Sequence, residues 1–250
     1  MPGIFGKLSS FICLLLASAW TLILAFIATI GFKLYPDIGY RIQRQFGKTW
    51  VFFLGIKVTY IFEDGIAPDR GVIAPNHASW FDIPALASLP MNLKWISKQE
   101  VRRLPLVGLA MQAGGFYFVS RDRTGKDADV MQEVESGLRR GECVVIFPEG
   151  TRSRTGDLLP LKKGAFRVAM NAEVPLYPVA ISGSGPIPPP FKGQSRMPGH
   201  RVIVRIGSAF PVSRSLPLEE QMAAFKARLQ ALLDQNAKDL RGDTRNIPMV

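Results

Sequence analysis

Apolar and polar positions divide the chain into three stretches of different periodicity. From Leu8 to Phe32 there are 25 residues without one charge. As a helix that run would reach roughly 37 Å, against a bilayer hydrocarbon core of about 30 Å. It is followed by Ile38, Ile42, Phe46, Trp50 and Phe53, spaced by four and three, with Arg41, Arg44 and Lys48 on another face. This predicts a basic amphipathic helix over about 36–55, of the kind that lies in a membrane interface. The same face could equally pack on a domain core. Beyond residue 56 the pattern changes to short β-rich runs: Lys57–Phe62, Gly71–Ala74, Leu93–Ser97, Phe116–Val119, Cys143–Phe147, Leu176–Ile181 and Val202–Ile206. Val130, Val134 and Leu138 mark a helix face that Gly141 is placed to end, and Leu218, Met222, Phe225, Leu229 and Leu232 mark another.

Strands alternating with helices predict an α/β domain, a mixed sheet flanked by helices. It is preceded by an N-terminal membrane-associated two-helix segment. The division expected is residues 1–56 as membrane anchor, with an apolar helix at 8–32, and 57–250 as the domain that carries the chemistry. Gly183 to Gly199, with its run Pro186-Ile187-Pro188-Pro189-Pro190, reads as a surface loop rather than a flap over substrate, and Arg241 to Val250 as a frayed tail.

Charge sharpens this picture. Lys and Arg number 31 against 20 Asp and Glu, a formal charge of +11, which suits a polyanionic partner. The uncharged run selects a membrane over nucleic acid. Ala17-Ser18-Ala19 resembles a signal-peptide cleavage site, but the apolar run continues past it to Phe32, which favours an uncleaved anchor. Lys33, Arg41, Arg44 and Lys48 follow the run and only Lys7 precedes it, so the positive-inside tendency puts the domain in the cytoplasm. Cys13 and Cys143 offer no disulfide framework, and His77 and His200 are too few for a His-rich metal site. No metal or cofactor is expected.

Candidate chemistry sits just after the predicted strands. Asn76-His77-Ala78-Ser79-Trp80-Phe81-Asp82 follows Gly71–Ala74 and so lies at that strand's carboxyl end, the usual ligand edge of an open α/β sheet. A neutral imidazole can take a proton from an attacking hydroxyl, and does so best when a carboxylate holds its other nitrogen. Four intervening residues let Asp82 return to His77, although Asp82 could simply cap the helix that Pro84 helps to start. Phe147-Pro148-Glu149-Gly150-Thr151-Arg152-Ser153-Arg154 also follows a strand. There Gly150 permits close backbone approach and Arg152 offers a fork suited to phosphate oxygens, unless the segment is a charged turn with an ordinary Glu–Arg pair. Ser120-Arg121-Asp122-Arg123 is a third such element.

Taken in order, His-four residues-Asp, a strand ending in Arg, and Phe-Pro-Glu-Gly-Thr-Arg resemble the glycerolipid acyltransferase family. Within it the bacterial 1-acyl-glycerol-3-phosphate acyltransferases look closest. Val174-Pro175-Leu176-Tyr177-Pro178-Val179 is similar to a fourth family element, and the likeness runs from about Lys57 to Gly207. The resemblance implies His77 as general base and Asp82 as its orienting partner. It implies Arg121 and Arg152 on the acceptor phosphate, Glu149, Gly150 and Thr151 shaping that pocket, and Lys98 joining them.

The implied reaction moves an acyl chain from acyl-CoA or acyl carrier protein to a lysophospholipid hydroxyl at a bacterial inner membrane. With no Gly-x-Ser-x-Gly and Cys143 read as a strand residue, direct attack is expected rather than an acyl-enzyme. Other acceptors (a lyso-ornithine lipid, glycerol-3-phosphate) and a membrane esterase remain alternatives at this stage. A nucleic-acid-binding role is disfavoured, because the basic clusters lack interleaved stacking aromatics.

Overall fold

A computed structural model describes residues 4–120, 126–190 and 196–242. Two helices open the chain, α1 (Ile4–Leu34) and α2 (Pro36–Leu54). Pro36 suits the first turn of α2, where its missing N–H costs nothing, and Gly55 ends that helix in the left-handed region at φ 70°. Seven strands lie among the described residues: β1 (Lys57–Phe62), β2 (Gly71–Pro75), β3 (Leu93–Lys98), β4 (Tyr117–Val119), β5 (Cys143–Val145), β6 (Leu176–Ser182) and β7 (Arg201–Ile206). Between and after them lie α3 (Asp82–Ala87), α4 (Val107–Ala113), α5 (Lys126–Arg139), α6 (Lys163–Ala172) and α7 (Leu218–Arg241), with a 3-10 turn at Gln99–Arg103.

One sheet holds all seven strands in the order β1-β7-β6-β2-β5-β3-β4. Strands β6, β2, β5, β3 and β4 run parallel; β7 is antiparallel to β6 and β1 is parallel to β7. The sheet is therefore mixed, as the sequence predicts. Central strands β2 and β5 are buried at every position, which is why they read as continuous rather than alternating apolar runs. Their side chains still alternate between two cores. Ile73, Cys143 and Val145 join Trp50, Leu54, Phe81, Leu86 and Leu89 on the α2–α3 side. Val72, Ala74 and Val144 join Val134, Leu138, Phe166, Phe225 and Leu229 under α5, α6 and α7. Each fully buried Leu or Phe here contributes about 1.5–3 kcal/mol relative to exposure.

The predicted strands agree with the structure to within one or two residues. The fifth stops at Val145 rather than Phe147, because Phe147 leaves the sheet to stack on His77. Helices α4 and α6 were not expected from the pattern. Gly164 and the short apolar face Ala165, Phe166 and Ala169 hide α6 in a window shorter than the periodicity test needs.

The first helix is long and apolar enough to cross a membrane by length and composition. It is packed along its inner face nonetheless. Leu14 and Ala17 enter the α2–α3 core, and Ala25, Ala28 and Phe32 pack with Ala110 of α4. Phe11, Leu15, Leu16, Trp20, Phe26 and Ile30 stay exposed. Helix α2 meets α3 at Gly47, where a Cβ would lie 2.5 Å from Pro84 O and Ser88 N. A larger residue there would push the two helices apart.

Candidate active site

Because β2, β5, β3 and β4 are parallel neighbours, their carboxyl ends share one edge, and every predicted site residue within the described set lies on it. His77 follows β2, Lys98 ends β3, and Glu149 to Arg152 follow β5. Arg121, two residues past the end of β4, lies outside the described residues.

The loop between β2 and α3 is shaped by one carboxylate oxygen. Asp82 Oδ2 accepts from His77 Nδ1 at 2.7 Å, Ala78 N at 2.9 Å and Ser79 N at 2.8 Å. Asp82 is completely buried, and its Oδ1 has no partner. The residue does not cap its own helix: α3 starts after Phe81, and the amides that Asp82 accepts precede it. Since the carboxylate can only accept from Nδ1, the neutral ring carries its proton on Nδ1 and its lone pair on Nε2. Asn76 anchors the start of the loop to β6, accepting from Ile181 N at 2.7 Å and donating to Ile181 O at 3.0 Å.

Glu149 joins the second motif to the first. Buried to 2% exposure, it accepts from His77 N at 2.7 Å and from Leu159 N at 2.9 Å. Ser153 N donates back to His77 O at 2.8 Å. Burial raises the Glu149 carboxyl above its ordinary range, with the two backbone hydrogen bonds opposing that shift. An ordinary Glu149–Arg152 pair is thus excluded: the carboxylate is spent on backbone amides, and Arg152 is exposed with no ion pair among the described residues. Gly150 adopts φ +69°, which closes the turn and leaves Thr151 and Arg152 outside. Lys98 is exposed at the same edge.

Sequence reasoning missed two features of the edge. Phe147 stacks on the His77 ring at 4.0 Å between centroids, 25° from parallel. It also lines an apolar cavity of about 290 Å³ walled by α1, α2, α3, β3 and α4, among them Phe32, Phe46, Ile83 and Trp95. Of the expected surface loop from Gly183 to Gly199, residues 191–195 lie outside the described set, and the part that follows β6 is no plain surface loop. Trp80 Nε1 donates to Pro188 O at 2.7 Å, and Ile187 is buried at 2% exposure. Away from the edge, burial and then nearby Asp69 push the Cys143 thiol up to about 12, so it is no ready nucleophile.

A family model described as Acyltransferase matches residues 57–182. The chain is 44% identical over 113 residues to 1-acyl-sn-glycerol-3-phosphate acyltransferase beta of Homo sapiens, covering 44% of this chain and 41% of that protein. It is 30% identical over 154 residues to 1-acyl-sn-glycerol-3-phosphate acyltransferase of Saccharomyces cerevisiae, covering 60% and 51%. The chain therefore spans about half or less of these relatives' length. The fold is similar to the crystal structure of the 1-acyl-sn-glycerophosphate (LPA) acyltransferase, PlsC, from Thermotoga maritima. That match has a TM-score of 0.75 at 22% identity and covers 97% of this chain and 98% of the other.

Proposed function

As the chain belongs to the acyltransferase family, we propose that it transfers a fatty acyl group from an acyl thioester to the free hydroxyl of 1-acyl-glycerol-3-phosphate, forming phosphatidic acid. The observation that carries this reading is a His–Asp pair whose imidazole stacks on Phe147, a wall of an apolar cavity, with an uncompensated arginine on the same edge. The cavity suits an acyl chain, and Phe147 is common to its wall and the His77 ring. Arg152 suits the acceptor phosphate, and Lys98 and Arg121 join it in this reading. The named relatives act on that acceptor by their titles.

In the proposed reaction the acceptor oxygen attacks the thioester carbonyl as His77 Nε2 takes its proton. Asp82 stabilises the imidazolium through Nδ1. The new C–O bond forms, the C–S bond breaks, and the thiolate leaves with the proton that His77 gives back. Glu149 acts on positioning, by holding the His77 backbone at the Arg152 turn. Direct attack fits the high thiol pKa of Cys143. The thioester can come from coenzyme A or from acyl carrier protein, so both belong in the assay.

The exposed apolar face of α1, with the cations of α2, seats the domain on the membrane in this reading. Residues 1–56 are then the anchor and 57–250 the acyltransferase domain, on the cytoplasmic side of a bacterial inner membrane. The test is transfer of radiolabelled acyl groups by the membrane-embedded protein and by His77→Ala, with a panel of lyso-acceptors. Phosphatidic acid made by the intact protein alone is expected, with membrane association unchanged in the variant. Near-normal turnover by His77→Ala would remove the base assignment, and labelling of another lipid would replace the acceptor.

A further inference from the structure

We propose that Lys162 is a further acceptor-binding residue, one that recognises the acceptor phosphate alongside Arg152; the inference rests on the acyltransferase reading above. Lys162 lies ten residues past the Arg152 turn and just before α6, where the sequence singles out nothing. The fold brings it back. Its backbone N donates to Pro148 O at 2.7 Å, which pins the residue to the start of the Glu149–Arg152 turn. Its side chain then runs over Gly150: a Cβ on that glycine would lie 2.6 Å from Lys162 Nζ, 2.8 Å from Cε and 2.9 Å from Cδ. The glycine thus serves twice. It supplies φ +69° for the turn, and its missing side chain leaves the groove in which the lysine lies.

The ammonium is therefore beside the residue between Glu149, which holds the His77 backbone, and the Thr151-Arg152 pair. It is exposed and makes no ion pair among the described residues. Its neighbour Lys163 is different, because its Nζ is already committed to Glu219 Oε1 at 2.6 Å. A cation laid along a turn without a carboxylate partner, where the same turn carries the uncompensated Arg152, matches the two or more negative oxygens of a phosphate monoester. Lys163 and the other paired cations do not offer that.

The test is Lys162→Met, which keeps the stem over Gly150 and removes the charge, with Lys162→Arg beside it. Initial rates of the membrane-embedded protein are measured against lysophosphatidate and, separately, against the acyl thioester. The expected result for Lys162→Met is an acceptor KM raised about tenfold or more, the size of one charge-assisted hydrogen bond. The donor KM and kcat should stay within about threefold, and Lys162→Arg should restore most of the acceptor KM. A rise in donor KM alone would assign the ammonium to the phosphates of the carrier and overturn the proposal. An equal fall in kcat with both KM values unchanged would mark a structural role and do the same. If the unsubstituted protein transfers nothing to lysophosphatidate, the acceptor reading itself has failed, which the wild-type arm shows by itself.

Discussion

Replacing Asp82 by Asn separates the charge at the active site from its geometry. All three hydrogen bonds of this carboxylate converge on Oδ2, and Oδ1 has no partner. An asparagine with its carbonyl at the Oδ2 position accepts the same three protons, and its NH2 takes the place of an oxygen that already has no partner, so no hydrogen bond is lost. Loop geometry and the Nδ1–H tautomer should both survive, and what is lost is one negative charge beside the imidazolium. At about 4 Å between charge centres and an effective dielectric of about 20, that attraction is roughly 4 kcal/mol. Since each 1.36 kcal/mol is tenfold in rate, kcat should fall about a thousandfold. The assay is single-turnover acyl transfer in mixed micelles, with thermal unfolding run in parallel. Asp82→Asn should melt within a few degrees of the wild type. A rate within tenfold of wild type, in a protein with unchanged Tm, would refute the argument that His77 becomes cationic in the transition state.

Arg152→Ala should raise the acceptor KM about tenfold or more with little change in Tm, because the exposed side chain supports nothing in the fold; an unchanged KM in steady-state assays would count against the phosphate role. Glu149→Gln sets an NH2 group against one of two backbone amides, and a stranded buried donor costs about 1–3 kcal/mol. Tm should fall by roughly 2–12 °C, and the His77 loop should become more open to proteolysis. Glu142 accepts from Tyr117 Oη at 2.6 Å and pairs with Lys94 at 3.1 Å and Arg140 at 3.2 Å. Burial alone would raise its carboxyl, but these partners hold it below the ordinary 4.5. Its stabilising contribution is therefore present above pH 4.5 and lost as pH falls through the lower folded value. The Tm gap between wild type and Glu142→Gln should be full at pH 7 and close on acidification below that range; a gap independent of pH would refute it.

Much of the architecture was legible because it is local. Each strand announces itself by β-branched runs between turn residues, and α5 and α7 by a full apolar face. The His77–Asp82 pair is readable for the same reason: five residues are enough to leave a strand and return at a helix start, so spacing alone brings the groups together. Placing Lys98, Glu149 and Arg152 on that edge needed only the parallel alternation of strand and helix.

The tertiary structure decided which buried surface each of these elements meets. Sequence offered Glu149 an arginine three residues away, yet it serves the backbone of His77, 72 residues distant, because β5 lies directly beside β2. Phe147, read as strand, became the wall shared by the imidazole and an apolar cavity, and Pro188 became a hydrogen-bond partner of Trp80. Helix α1 is long and apolar enough to cross a membrane, yet it packs one face on α2 and α4. In each case the pattern states how much apolar surface or hydrogen-bonding capacity a segment carries. Which partner satisfies it depends on strand order, and strand order is a property of the whole sheet.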